Sequence, residues 1–172
     1  MKICVAGLTA SGKTTLGDDL AAKLRITHVD ASYKKVTSGD SHLLRFLDEA
    51  SGDYARRFDY DIIKAAEDRN CVVTTWHGPW IIKDATVRVW LETSETERVR
   101  RCAKAKGKSA AYARKYIREK DSKAIAHYRL AYGKEMDHSV FDIDINYDRM
   151  TKDEVLSIVS MLAMVRDGRR FA

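Results

Sequence analysis

Residues 3–15 read ICVAGLTASGKTT. The first four, Ile3–Ala6, form an apolar run that ends at a glycine, the pattern of a short buried strand. The next eight, Gly7-Leu-Thr-Ala-Ser-Gly12-Lys13-Thr14, satisfy G-x-x-x-x-G-K-[ST], a turn that leads from a strand into a helix and aims its amides at phosphate oxygens. Chance produces such a string in roughly one in two hundred chains of this length. Here it also has the required context, a strand ending at Ala6 and an amphipathic helix starting at Lys13. The roles divide by chemistry. Gly7 and Gly12 permit close backbone approach, and Thr9, Ala10 and Ser11 supply the turn around the phosphates. Lys13 reaches the β and γ phosphates, the Thr14 hydroxyl suits Mg²⁺, and Thr15 suits the α phosphate.

Outward from this loop, Cys71–Val73, Val87–Leu91, Phe141–Ile145 and the weaker Ile26–Val29 read as further strands with helical patterns between them. Strand–helix alternation predicts an α/β fold of three layers, a parallel sheet with helices on both faces. The helix from Lys13 carries Leu16, Leu20, Ala21 and Leu24 on one stripe, and the last helix carries Val155, Ile158, Val159, Leu162 and Val165. Ser94 with Glu97 and Thr151 with Glu154 are capping boxes that start helices near 95 and 152. Residues 31–69 are more polar and mostly helical, broken at Ser51-Gly52-Asp53, where a helical acceptor-binding region is expected.

The 172 residues suit one domain. Cys4, Cys71 and Cys102 are an odd number without C-x-x-C spacing, two of them in strand-like runs, which predicts a reduced, cytoplasmic setting and no zinc site. No apolar run approaches the ~20 residues of a membrane span, and Met1 leads into a strand rather than a signal core. The net charge of +6 leaves nucleic acid or small phosphates as partners. Basic residues cluster at 98–134, but acids interrupt them and no RNA-reading motif with paired aromatics appears, so small phosphates are favoured. A guanine-reading N-K-x-D stretch is missing too, which leaves phosphoryl transfer to a small molecule as the chemistry.

Residues 109–132, SAAYARKYIREKDSKAIAHYRLAY, read as one charged helix. At 100° per residue Arg114, Arg118, Asp121 and Arg129 fall within about 80°, a cationic stripe suited to phosphates. Phosphoryl transfer relies on positioning and on cations at the transferred group, so a closing helix of this kind supplies catalysis while it excludes water. The plainer reading is a solvated face with ion pairs such as Glu119–Lys123.

In its motifs the chain resembles the cytidylate kinase-like family, archaeal type, among the P-loop nucleoside monophosphate kinases. The resemblance covers most of residues 1–157 and is most specific in YIREKDSKAIAHYRLAYGKEMDHSVFDIDINYDRMTKDEV, with its turn HYRLAYG. It implies a five-stranded parallel sheet in order 2-3-1-4-5, a helical lid over 107–133, ATP and Mg²⁺, and a nucleotide acceptor, CMP or dCMP. It also implies that Arg98 and Arg101 open the lid, with Arg101 against adenine and phosphates, and that Arg114, Arg118 and Arg129 reach the transferred phosphoryl group. Such a protein is expected to be a monomer or weak dimer with a small-molecule substrate and no membrane partner.

After the third strand the family's E-G-R-L is replaced by Thr74-Thr75-Trp76-His77-Gly78. Thr74 stands for the acid and Trp76 for the arginine that binds the monophosphate, a bidentate clamp that an indole cannot reproduce. Lys34, Lys35, Arg56 and Arg57 are the candidates to replace it, Trp76 to stack on a base, and Asp30 and Asp59 to read a base or assist the metal through water. Two alternatives stay open: a kinase of the same fold with another acceptor, and a nucleotide- or RNA-binding module without transfer.

Overall fold

The architecture was obtained as a computed structural model that describes residues 1–30 and 52–168. Lys34 and Lys35 lie outside the described residues. In chain order the elements are β1 (Lys2–Gly7), α1 (Lys13–Leu24), β2 (Thr27–Asp30), α2 (Gly52–Ala66), β3 (Cys71–Thr74), α3 (Gly78–Ile81), β4 (Val87–Glu92), α4 (Glu95–Lys106), α5 (Ala110–Tyr132), a 3₁₀ turn at His138–Val140, β5 (Ile143–Asn146) and α6 (Lys152–Arg166). The five strands pair in parallel in the order β2-β3-β1-β4-β5, as the resemblance implied.

The strands alternate between two cores. Ile3, Val5, Val72, Val87 and Val89 point to the face covered by Leu16 and Leu20 of α1 and by Val155 and Val159 of α6. Cys4, Cys71 and Val73 point to the other face, against Phe58 and Ile62 of α2 and Ile81 of α3. Each sheet face is thus apolar and covered, the condition for a parallel sheet with period-two side chains. A third cluster, Val99, Cys102, Ala113, Tyr116 and Ile117, joins α4 to α5.

Helix ends follow the local chemistry. Thr151 and Glu154 make a complete capping box at α6. Ser94 accepts from the Glu97 amide at 3.3 Å, but the Glu97 carboxylate turns to Arg100 and Arg101 instead, and the Ser94 amide donates to Asp148. Ser109 caps α5, and Gly133 ends it in the left-handed conformation. Val165 is exposed rather than in the core stripe of α6. Phe141, expected to open a strand, instead packs against Trp80, Trp90 and His138, and β5 begins at Ile143. Among the described residues no helix is long and apolar enough to cross a membrane.

Candidate active site

β1 delivers the loop at 7–15 to the carboxyl end of the sheet, where β2 and β3 also end. The loop is built on unusual backbone: Gly12 at φ 109° and Ala10 at φ 65°. A side chain at position 12 would also meet the Tyr147 ring at 2.7 Å. The turn therefore fixes glycine at 12 on two counts. Over it lies a cavity of about 790 Å³ lined by Thr9, Ala10, Gly12, Lys13, Thr14 and Thr15 from the loop, and by Asp30, Thr74, Thr75 and Trp76 from the ends of β2 and β3. Its other wall is Arg101, Cys102, Ala105 and Lys106 of α4 with Tyr116 and Lys120 of α5.

The loop holds its own polar groups ready. The Lys13 ammonium donates to the Gly7 and Leu8 carbonyls at 2.8 and 2.9 Å and stands 5.6 Å from the centre of the Trp76 ring. Desolvation, with repulsion from Lys120, lowers its pKa to about 7. The buried hydroxyls Thr9 Oγ1 and Ser11 Oγ have no hydrogen-bond partner. A desolvated lysine and the orphaned Thr9 hydroxyl, both on the cavity wall, are groups that a polyphosphate would satisfy. Thr14, exposed at the same turn, has the hydroxyl for a cation, and among the described residues no cluster of three His, Cys, Asp or Glu side chains could hold a metal ion. The Thr14 hydroxyl is an oxygen ligand of the kind that fits Mg²⁺.

Two buried groups hold the loop from outside. Asp121 of α5 accepts from the Thr9 amide at 2.9 Å and from Arg98 at 2.7 Å, while Arg98 also donates to the Thr9 and Thr93 carbonyls. Arg101 donates to the Ser11 carbonyl at 2.9 Å, lies 4.9 Å over the Tyr147 ring and lines the cavity.

The other expected residues separate. Gly7 and Ser11 lie beneath the loop rather than on the cavity wall: a side chain at 7 would come 2.6 Å from Ser11 Oγ. Arg114 and Arg118 are exposed and both pair with Glu95, whose carboxyl they hold below its usual range, Arg118 foremost. Arg129 pairs with Glu135 at the surface. Glu119 and Lys123 form the expected pair at 2.9 Å. Arg57 is exposed, and Arg56 donates to the Ala131 carbonyl. Asp59 is buried away from the cavity wall, accepting from Tyr132 at 2.6 Å and from His77 Nδ1 at 3.0 Å.

Beside Arg101, α4 and α5 bring two further cations to the cavity, Lys106 and Lys120, which were not singled out from the sequence. On a helical wheel Tyr116 and Lys120 fall about 40° apart and roughly opposite the arginine arc. The signal was present in the buried residues Ala113, Ile117 and Ala124, which fix the inner face of α5 and so decide which charges stand beside it.

The phosphate loop, the strand order and a cation-lined cavity at the carboxyl ends of the strands together define a P-loop phosphotransferase. Comparison with known sequences adds evidence from the rest of the chain. The Cytidylate kinase-like family matches residues 31–149, a span that excludes the phosphate loop itself. A cytidylate kinase of Thermococcus sibiricus is 31% identical over 163 residues, 91% of this chain and 84% of that protein. The chain belongs to the cytidylate kinase-like family.

Among solved structures, an uncharacterized protein of Eubacterium ventriosum superposes with a TM-score of 0.72 at 17% identity, covering 98% of this chain and 99% of that one. A shikimate kinase of Acinetobacter baumannii in complex with shikimate superposes with a TM-score of 0.62 at 16% identity, covering 95% and 93%. At these identities the likeness is one of fold.

Proposed function

We propose that the chain is a kinase that uses ATP and Mg²⁺ to phosphorylate a pyrimidine nucleoside monophosphate, CMP or dCMP. The observation that carries this reading is the cavity in which the loop, Lys13 and Lys120 face one space, in a chain whose relative over 91% of its length is a cytidylate kinase. In the reaction an acceptor phosphate oxygen attacks the γ phosphorus, the bond from that phosphorus to the bridging oxygen breaks, and ADP leaves. The acceptor is already an anion, so no strong general base is needed. Lys13 and Lys120 neutralise the charge on the transferred group, and the amides of the loop orient the donor. The Thr14 hydroxyl would hold the Mg²⁺ that accompanies the nucleotide, and the ion would supply charge neutralisation at the phosphates. Arg101, on the cavity wall, holds the adenosine end. The three cysteines are free and buried, in keeping with a reducing, cytoplasmic compartment.

One observation favours a second reading. Trp76 stands where the family has its monophosphate clamp, and Asp30 reaches the same cavity. A carboxylate beside an aromatic wall suits an acceptor that offers a hydroxyl rather than a phosphate. The test is ADP formation from Mg·ATP with CMP, dCMP, UMP, AMP and GMP, with a panel of nucleosides and polyols, and without acceptor. Stimulation by CMP or dCMP is expected. Stimulation only by a hydroxyl compound replaces the acceptor, and no stimulation by anything leaves a nucleotide-binding module.

A further inference from the structure

β2 and β3 run side by side, and their side chains meet α1 where Gly17 leaves a gap. A Cβ at position 17 would stand 2.5 Å from both His28 Nε2 and Thr74 Cγ2. Glycine is a poor residue for a helix interior, and here its missing side chain is the space the His28 ring occupies. The ring is held at both nitrogens: Nδ1 lies 2.7 Å from the carboxylate of Asp18, the next residue of α1, and Nε2 lies 2.7 Å from Thr74 Oγ1. Thr74 is buried and lies on the wall of the phosphate cavity with Lys13 and Thr14.

The hydrogen-bond inventory of these groups fixes a direction. An ionised carboxylate only accepts, so the proton on Nδ1 points to Asp18. A neutral imidazole then has a lone pair at Nε2, which accepts from the Thr74 hydroxyl. With its proton committed to His28, Thr74 keeps its lone pairs for the cavity. Exposure of Asp18 weakens the reach of its charge but leaves its accepting character unchanged. A threonine held this way offers what a carboxylate at the end of β3 would offer, an acceptor aimed at donors beside the phosphates.

We propose that Asp18, His28 and Thr74 form a positioning relay that makes the Thr74 hydroxyl a hydrogen-bond acceptor toward the phosphate cavity, where it receives water carried by the nucleotide's Mg²⁺. This inference rests on the reading of the cavity as an ATP site. Asp18 and His28 touch no substrate in it and act through Thr74. The relay does the work of the acidic residue that this chain lacks at position 74.

Two measurements on the full chain test it. The first is the ¹⁵N–¹H spectrum of the His28 ring at pH 8 without nucleotide, in which Nδ1 is expected to carry the proton and Nε2 none. A proton on Nε2 overturns the relay, because Thr74 would then be the acceptor and its own proton would face the cavity. The second is ATP affinity by calorimetry with Mg²⁺ and with EDTA. One hydrogen bond to a charged assembly is worth about tenfold, so Thr74→Val and His28→Phe should each lose about tenfold of the affinity gained from Mg²⁺, with affinity in EDTA unchanged. The double variant should lose no more than either single one, and His28→Phe with Thr74→Asp should regain the loss, since a carboxylate needs no orientation. Unchanged metal dependence in Thr74→Val overturns the relay alone. A wild-type chain that binds no ATP overturns the relay together with the kinase reading.

Discussion

Arg98 and Asp121 meet at 2.7 Å in the interior, and the second Asp121 oxygen accepts from the Thr9 amide. Helix α5 is thereby joined to the phosphate loop through a buried ion pair. Both partners are almost wholly withdrawn from water, so each depends on the other for its charge to be tolerated.

Removing one partner leaves the other charge buried and unpaired, a change that costs about 3–5 kcal/mol. Asp121→Ala is therefore expected to lower unfolding free energy by that amount in denaturant titrations, and to weaken ATP binding by freeing Thr9. A loss below about 1 kcal/mol, the value of a surface pair, would show that water reaches Arg98 in solution.

Lys13 carries a lowered pKa of about 7. A polyphosphate favours the charged ammonium, so ATP binding should take up a proton near pH 8 and almost none near pH 6, where Lys13 already holds it. Calorimetry in buffers of different ionisation enthalpy measures this uptake, and Lys13→Met should abolish it along with turnover. The sign for stability without nucleotide is the reverse of an ordinary ion pair. A lysine whose folded pKa lies below its unfolded value penalises the fold at pH below about 7, and the penalty fades as pH rises toward 10.5. Lys13→Met should accordingly stabilise the fold most at pH 6.

The two sides of α5 make opposite forecasts. Lys120→Met removes a cation from the cavity and is expected to reduce kcat by about a hundredfold, the scale for one charge-stabilising group. Arg118→Met breaks an exposed pair with Glu95 and should leave kcat within a few-fold of wild type. Steady-state kinetics of both variants decide it. A large loss in Arg118→Met with little in Lys120→Met would put the arginine stripe at the transferred group.

Trp76 belongs to the acceptor side of the cavity in the proposed reading. Trp76→Leu should raise KM for the acceptor about two- to tenfold, on the scale of an aromatic stack, with KM for ATP nearly unchanged. An equal rise in both would assign the indole to support of Lys13 and the loop.

How far the sequence carried the reading depended on the range of each signal. The loop at 7–15 was legible because its chemistry is contiguous, and Thr151 with Glu154 marked the start of α6 because caps are local. The arginine stripe was legible as a stripe, but its direction was not. Periodicity gives angles between residues of a helix, and the absolute orientation of α5 is set by Ala113 and Ile117 packing on Val99 and Cys102 of α4. Asp59 read as an acid for a base or a metal-bound water because its partners, His77 and Tyr132, are distant in the chain. His28 gave no signal at all: Asp18 and Thr74 are brought to it by the parallel pairing of β2 with β3 and by the gap at Gly17.

Helix α5 is 23 residues long, a rod of about 35 Å. Near its middle Asp121 grips the donor loop, and at its far end Tyr132 and the Ala131 carbonyl are bound to Asp59 and Arg56 of α2. A shift of α2 is therefore felt at Thr9 through one stiff lever. If α2 follows the acceptor and Thr9 follows ATP, the two occupancies are thermodynamically linked. Whatever factor the acceptor applies to ATP affinity, ATP returns to the acceptor.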